Sequence, residues 1–557
     1  MKKLPFHLSR QRLSAAALCL AAGFFLPFSA LPAARSAQLA SLLIPFGLFF
    51  ALSPRRPGWV RAAAAFFLAA CLLSCADSAL RGFLMTSYES DYFSGFVIQA
   101  LANTSPQEAR EYLATAQPQI LFWAGAGLVV FLIQAALILS SLRRSLPLGC
   151  SLPQRPGDFR PGLPSGAALC LAAAAVAGLT LFNHSWRSHM VPLSWIKAAA
   201  CAESYRDFWR QSDERNAEIV RVSQSLITHV GDTPKTIVLV IGESLTRDNM
   251  SLFGYSRDTT PELRGMVQKG EITAVADSWS TAAQTIAAFE SMFHFPAGQA
   301  QLQGRGNLFA FIRAAGFRII WISNQDDLAI KELYQDYADK AVLLNRVSGR
   351  STRSMDEKLL QPLSAAMQDP APRKLIVVHM LGAHPHFALR YPDRLKDAWS
   401  GSDSVSRSME KLGRGPIVRG QLNDYDRAML YQDEVLARIF RIVRDGAGNR
   451  STLCLFLSDH GVETGRYDNR VGHSPSSPSS YRIPVLLWAR GPLEQAVRKA
   501  AERPFRADWT DSLLLDAAEI RWKGERPHES LLNPDYRWSE PESRRRFSSA
   551  LSRDSVR

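Results

Sequence analysis

Five apolar stretches crowd the first third of this chain, at about residues 13–34, 37–53, 62–80, 119–142 and 166–184. Each is near the length needed to cross ~30 Å of hydrocarbon. Segments of that kind do not share a core with water-facing helices, so the chain must divide. Residues 1–184 are expected to form a transmembrane bundle of five helices. The first stretch follows Lys2, Lys3, Arg10 and Arg12, as a signal peptide would, but further spans follow at once and the pattern continues as a bundle. The second is the weakest, being short and containing Pro45.

Charge then sets the orientation. The N-terminus is basic, as are the 2–3 loop (Arg55, Arg56, Arg61) and the 4–5 loop (Arg143, Arg144, Arg155, Arg160), whereas the 3–4 loop carries Glu89, Asp91, Glu108 and Glu111. The positive-inside rule places the N-terminus in the cytoplasm. Five crossings then export everything after about residue 185. The net charge of +14 fits membrane topology and an anionic lipid surface. Without a basic helix interleaved with aromatics, it does not indicate a nucleic-acid partner. Residues 185–234, with Trp186, Trp195 and Trp209 among many charges, read as interfacial helices.

From about residue 235, strand-like runs alternate with helical patterns. The strands are Thr236–Gly242, Arg318–Ile322, Leu375–His379, Thr452–Ser458 and Pro484–Trp488, with helices such as Asn307–Ala315 and Tyr425–Val443 between them. Alternation of this kind argues an α/β domain with a mainly parallel sheet, over residues 235–538. Residues 539–557 are charged and expected to be disordered. The seven cysteines form no C-x-x-C framework, and free thiols are favoured over a Cys201–Cys454 disulfide.

Two of these strands end in chemistry. Ile237-Val-Leu-Val-Ile-Gly runs into Glu243-Ser244, and Leu453-Cys-Leu-Phe-Leu-Ser runs into Asp459-His460-Gly461. Sites in open α/β sheets form beyond the carboxyl ends of strands. A Glu, an Asp and a His delivered there suit Zn²⁺ or Mn²⁺. A third segment, Ser278 to Phe293, reads as a loop entering a helix, with Thr281 and Thr285 near the entry. A hydroxyl at a helix N-terminus lies where phosphate is favoured, and a divalent metal would favour its alkoxide. A fourth piece is His379-Met-Leu-Gly-Ala-His384, with His473 in Val471-Gly-His-Ser474. Taken singly, each has a plainer reading: a Ser/Thr at a helix start is usually a cap, and a lone His is usually structural. Three segments converging on strand and helix ends weigh against that.

The chain resembles the membrane-bound phosphoethanolamine transferases of the alkaline-phosphatase/sulfatase superfamily. The resemblance is carried by Gly242-Glu-Ser244 with Gly254-Tyr255 and Arg257-Asp-Thr-Thr-Pro261, by Trp321-Ile-Ser-Asn-Gln325, by His379-x-x-Gly-x-His384, by Tyr425-Asp426 through Tyr431-Gln-Asp433, and by Ser458-Asp-His-Gly461. It implies an inner-membrane enzyme with a periplasmic sulfatase-like domain. Phosphatidylethanolamine is the implied donor, and lipopolysaccharide core, lipid A or another envelope glycan the implied acceptor. The reaction is implied to run through a phosphoethanolamine-threonine intermediate. Glu243, Asp459 and His460 match the family's zinc ligands, with Mn²⁺ the weaker candidate. His384 and His473 match residues that bind the phosphoryl group or protonate the leaving group, with a second metal there left open. Asn324, Gln325 and His379 are candidates for lining the site. For the nucleophile, the spacing from Thr285-Ile286 to Phe293 and Phe295 resembles the lipopolysaccharide-core branch and favours Thr285, which would then also touch the metal. Thr281 is the alternative.

Three rivals compete. A true sulfatase needs a Cys or Ser in a C/S-x-P-x-R context, and none precedes the expected helix. A glycerol phosphate transferase of the lipoteichoic-acid-synthase type shares five spans and a Thr nucleophile, differing in donor headgroup. A non-enzymatic lipopolysaccharide-binding regulator of this fold would have lost metal ligands, whereas Glu243, Asp459 and His460 are present here.

Overall fold

The computed structural model describes residues 9–31, 33–53, 57–88, 97–98, 101–102, 117–145, 178, 191–210, 212–295, 306–325, 330, 333–345 and 354–548. The chain separates into two compact units, with the boundary between Ser204 and Tyr205.

In the N-terminal unit, three helices among the described residues are long and apolar enough to cross a membrane: Arg10–Phe28, Pro57–Ser87 and Pro118–Arg144. The second expected span is instead two nine-residue helices, Ala33–Ser41 and Ile44–Leu52. The break falls just ahead of Pro45, which has no N–H to continue the first helix. The fifth expected span, residues 166–184, lies outside the described residues apart from residue 178. Small residues let the helices approach closely: a Cβ on Gly127 would meet the Cys75 carbonyl at 3.3 Å. Some of its buried polar groups are paired. Gln134 Nε2 donates to the Cys19 carbonyl at 2.8 Å, and Arg81 pairs with Asp77 at 2.8 Å.

The second unit is built on a seven-stranded sheet. Its order is Thr273–Ala274, Val485–Arg490, Ser451–Ser458, Lys235–Gly242, Arg373–His379, Arg318–Ser323 and Lys340–Leu343. The five strands from Ser451–Ser458 to Lys340–Leu343 are parallel, as expected. Val485–Arg490 returns antiparallel to both neighbours, a direction that periodicity cannot report. The alternation of side chains along Lys235–Gly242 feeds two cores. Ile237, Leu239 and Ile241 enter one that includes Phe289, Phe309 and Trp321, while Val238 and Val240 enter the other, with Tyr425, Leu436 and Phe440. The sheet therefore carries helices on both faces. The helix expected over Tyr425–Val443 runs further, from Pro416 to Gly446, because Pro416 is preorganised for a first turn.

Two boundary expectations change. The segment 185–234 holds helices Val191–Arg210 and Ser212–Leu226, but Ile227–Val230 is a strand antiparallel to Ile520–Trp522. The tail expected to be disordered from residue 539 is folded through residue 548. Glu542–Arg546 is helical, Ser543 Oγ donates to the Ser280 carbonyl at 2.9 Å, Arg544 pairs with Asp277 at 3.0 Å, and Phe547 packs on Tyr481. Arg544 also pairs with Glu540, so this part of the tail is tied down by an ion-pair cluster. Residues 549–557 lie outside the described residues. Cys201 and Cys454 are free thiols.

Candidate active site

The site forms where adjacent strands end. Lys235–Gly242 delivers Glu243, and its parallel neighbour Ser451–Ser458 delivers Asp459 and His460. The registered pair Gly242 and Ser458 puts the three side chains side by side. All three are buried, and one ligating atom of each lies within 4.8 Å of the others.

The hydrogen bonds orient these groups inward. Asp459 Oδ1 accepts from the Ser244 N–H at 3.1 Å and the His460 N–H at 2.7 Å. Asp459 Oδ2 has no hydrogen-bond donor; His460 Nε2 stands 3.4 Å away. His460 Nδ1 lies 2.8 Å from the Gly461 carbonyl. A carbonyl only accepts, so Nδ1 carries the proton and Nε2 turns its lone pair to the centre.

The electrostatics point the same way. Burial holds the His460 imidazole below its ordinary value, in the neutral form that ligates a metal. Burial, then the charge of Glu243, pushes Asp459 well above the carboxylate range. Burial would raise Glu243 too, but His460, His384, the Ser244 hydroxyl and His473 outweigh it and hold that carboxyl low. A buried oxygen without a donor beside a second buried carboxylate is costly unless a cation sits between them. The donor set fits a metal ion.

The backbone around Glu243 is held under strain. Ser244 sits at φ +61, in the left-handed region. The Tyr425 hydroxyl fixes it there, donating to the Ser244 carbonyl at 2.8 Å and accepting from the Thr246 N–H at 2.8 Å. Beneath the turn, Asp356 accepts from the N–H groups of Leu381 and Gly382, both at 2.8 Å, and from Gln432 Nε2 at 3.0 Å.

Thr285 is the first residue of the helix Thr285–Phe293. The Ala288 N–H makes the first intrahelical bond, to Gln284, so the preceding turn has N–H groups free for an anion. Thr285 Oγ1 donates to Glu243 Oε2 at 3.0 Å and lies 3.4 Å from His460 Nε2. Thr281 points elsewhere, its hydroxyl donating to Ser291 Oγ at 2.8 Å. The segment leading to both is anchored beside the carboxylates by Ser280 Oγ, which donates to the Asp459 carbonyl at 2.6 Å.

The other expected residues separate. His473 joins the centre: its ring centroid is 4.9 Å from that of His460, and its Nδ1 is 3.3 Å from the Ala283 carbonyl. That contact assigns the proton to Nδ1, so Nε2 carries the ring's lone pair. His384 is half-buried and close enough to act on the charge of Glu243. Gln325 Nε2 is 3.4 Å from Glu243 Oε2 and donates to the Met380 carbonyl at 2.8 Å. Asn324 and His379 do not line the site. Asn324 is fully buried, donating to Asp356 Oδ1 at 2.8 Å and accepting from Ser354 Oγ at 2.6 Å. His379 is 1% exposed and packed between Phe289 and Trp321. A strand's last residue points alternately to site or core, and this one points to core. Glu463, two residues beyond Gly461, accepts from Ser477 Oγ and the Tyr467 N–H and belongs to the scaffold. Asp356 carried no sequence signal: its partners lie 25 to 76 positions away.

The Sulfatase family model matches residues 235–515, about half the chain. Phosphoethanolamine transferase EptC of Escherichia coli K12 is 30% identical over 326 residues, covering 55% of this chain and 55% of that protein. The chain thus spans about half the length of the curated relatives it matches. The crystal structure of the C-terminal periplasmic domain of EptC from Escherichia coli in complex with Zn is 28% identical with a TM-score of 0.51, covering 56% of this chain and 91% of that one. The integral membrane protein lipooligosaccharide phosphoethanolamine transferase A of Neisseria meningitidis covers 85% of this chain and 91% of its own, with a TM-score of 0.54 at 18% identity, a likeness of fold.

Proposed function

The chain belongs to the Sulfatase family, and from that premise we propose that it moves phosphoethanolamine from phosphatidylethanolamine to an envelope acceptor such as lipopolysaccharide core or lipid A. The observation that carries the reading is the place of Thr285 Oγ1, 3.0 Å from Glu243 and 3.4 Å from His460 at a helix N-terminus. The likeness to a zinc-bound EptC domain and to phosphoethanolamine transferases supports the class of reaction.

Glu243, Asp459, His460 and Thr285 are the residues that would hold zinc. When bound, the ion supplies the Lewis acidity that favours a threonine alkoxide at neutral pH. Thr285 Oγ1 then attacks the donor phosphorus, the bond to the glyceryl oxygen breaks, and diacylglycerol leaves with a proton. His473, whose Nδ1 is engaged by the Ala283 carbonyl, takes the Thr285 hydroxyl proton on Nε2 and passes it to the departing glyceryl oxygen, and His384 stands on the same centre. The free N–H groups of the helix's first turn stabilise the phosphoryl oxygens. An acceptor oxygen repeats the displacement and restores Thr285. Five spans, a cytoplasmic N-terminus and a periplasmic catalytic domain complete the reading, supported by loop charge and hydropathy.

The test uses the full chain in detergent with a phosphatidylethanolamine labelled in its acyl chain. Labelled diacylglycerol, together with a phosphoethanolamine mass increment on the peptide containing Thr285, is the expected result. A glycerol phosphate increment from phosphatidylglycerol, with phosphatidylethanolamine untouched, would overturn it in favour of the lipoteichoic-acid-type reaction. Envelope glycolipids from cells with and without the gene identify the acceptor by the same mass increment.

A further inference from the structure

Beside the loop that carries Glu243, a cavity of about 380 Å³ is lined by Arg247, Arg466, Arg482 and Arg544 against two acids, Asp248 and Asp277. That volume is in the range of small-molecule sites. Both acids are already engaged. Asp248 pairs with Arg482 and accepts from Ser479 Oγ at 2.7 Å. Asp277 pairs with Arg544 at 3.0 Å and accepts from Trp279 Nε1 at 2.7 Å.

Arg247 is the anomaly. It is 8% exposed, and its guanidinium makes no hydrogen bond or ion pair to any acceptor among the described residues; Nε and Nη1 are buried without partners. Its guanidinium carbon lies 4.2 Å from the Phe253 ring centroid, and the charges of Asp248 and Asp277 act on it from across the cavity. Burial, and then Arg482, lower its pKa to about 10, which leaves it cationic at neutral pH. Its backbone is pinned by an N–H bond to the Arg482 carbonyl at 3.1 Å, so the fork is presented from a rigid turn. A buried arginine with unused donors beside a cavity calls for an anion.

We propose that this cavity is a phosphate-binding subsite that takes the phosphate group of a substrate headgroup, with Arg247 as its central donor. The four arginines of the lining outnumber its two acids, and a phosphate group, monoester or diester, offers their planar forks a matching set of acceptor oxygens. The subsite rests on the transferase reading only for which substrate supplies the phosphate; the anion preference stands on the cavity alone.

The experiment is equilibrium binding to the purified full chain in detergent, with and without EDTA. The probes are glucose 6-phosphate, glycerophosphoethanolamine, glucuronate and glucose. The expected result is chelator-insensitive binding of at least one phosphate probe, weakened roughly tenfold or more in Arg247→Gln, the loss expected for a charge-assisted hydrogen-bond pair. Arg544→Glu, at a half-exposed position where folding is less at risk, should weaken the same probe roughly fivefold or more. Glucose 6-phosphate as the binder assigns the subsite to a glycan acceptor, and glycerophosphoethanolamine assigns it to the donor. Phosphate binding that vanishes with EDTA would place it in the metal centre and overturn the proposal. So would glucuronate binding as tightly as glucose 6-phosphate, or affinities unchanged in both variants. Headgroup release measured in parallel reports on the transferase reading separately.

Discussion

Gly382 lies against the backbone of Glu243: a Cβ on Gly382 would stand 2.8 Å from the Glu243 nitrogen and 3.0 Å from its Cα, closer still to its carbonyl oxygen. Gly382 is also at φ +58, and its N–H is held by Asp356 at 2.8 Å. Glu243, the carboxylate proposed to hold the metal, is thus aimed by a turn that only glycine can make.

Gly382→Ala is therefore expected to displace Glu243. The left-handed conformation alone costs about 1–2 kcal/mol, and the clash adds to it. Zinc affinity should fall by about 10–100-fold, as for loss of a group that orients a ligand. Metal content and thermal unfolding of the purified variant check this. Wild-type zinc retention would show that the turn does not set the ligand.

Thr285→Ala is expected to abolish diacylglycerol release, while Thr285→Ser keeps a measurable fraction because it retains a hydroxyl near Glu243 and His460. Thr281→Ala should stay near wild type, since Thr281 bonds to Ser291. Turnover surviving in Thr285→Ala and lost in Thr281→Ala would move the nucleophile.

Removing the metal should cost both activity and stability. Two carboxylates are buried in the centre, and without a cation their repulsion is uncompensated. EDTA is expected to lower the unfolding temperature of the wild type, with zinc restoring it. Asp459→Asn should abolish stoichiometric zinc and make the unfolding temperature insensitive to EDTA. A chelator response equal to the wild type's would show the ion to be bound elsewhere.

His379 should contribute a pH dependence to stability. Burial lowers its pKa to about 4, with Glu243 opposing, against about 6.5 in the unfolded chain. Between these values the unfolded state binds more protons, so stability rises with pH. The contribution is complete above about pH 6.5 and is lost as pH falls toward 4, to a limit of about 3 kcal/mol. His379→Met should flatten the dependence of the denaturant midpoint on pH over that range. An unchanged slope would show that His379 is not the titrating group.

Much of this was legible locally. The five-residue apolar run before Gly242 and its counterpart before Ser458 predict buried strands, and the polar residues just past them form the buried Glu-Asp-His group suited to a metal. Arg257-Asp-Thr-Thr-Pro261 stood out as a motif, but its role needed the fold. Arg257 bridges Asp403 and Asp426, both at 2.7 Å, and Thr259 Oγ1 bonds the Asn249 carbonyl, so the segment braces the Glu243 loop from outside the site.

The amino-acid sequence by itself determined which segments are apolar, which strands are buried and which polar side chains stand at their ends, because those properties depend on residues within a few positions of one another. Tertiary structure alone decided that Thr285 and not Thr281 faces Glu243, that His379 and Asn324 turn inward, that the charged tail packs through residue 548, and that Arg247 is left without an acceptor. Each of those outcomes depends on the direction of a side chain relative to partners tens to hundreds of residues away, and local periodicity carries no record of such distances.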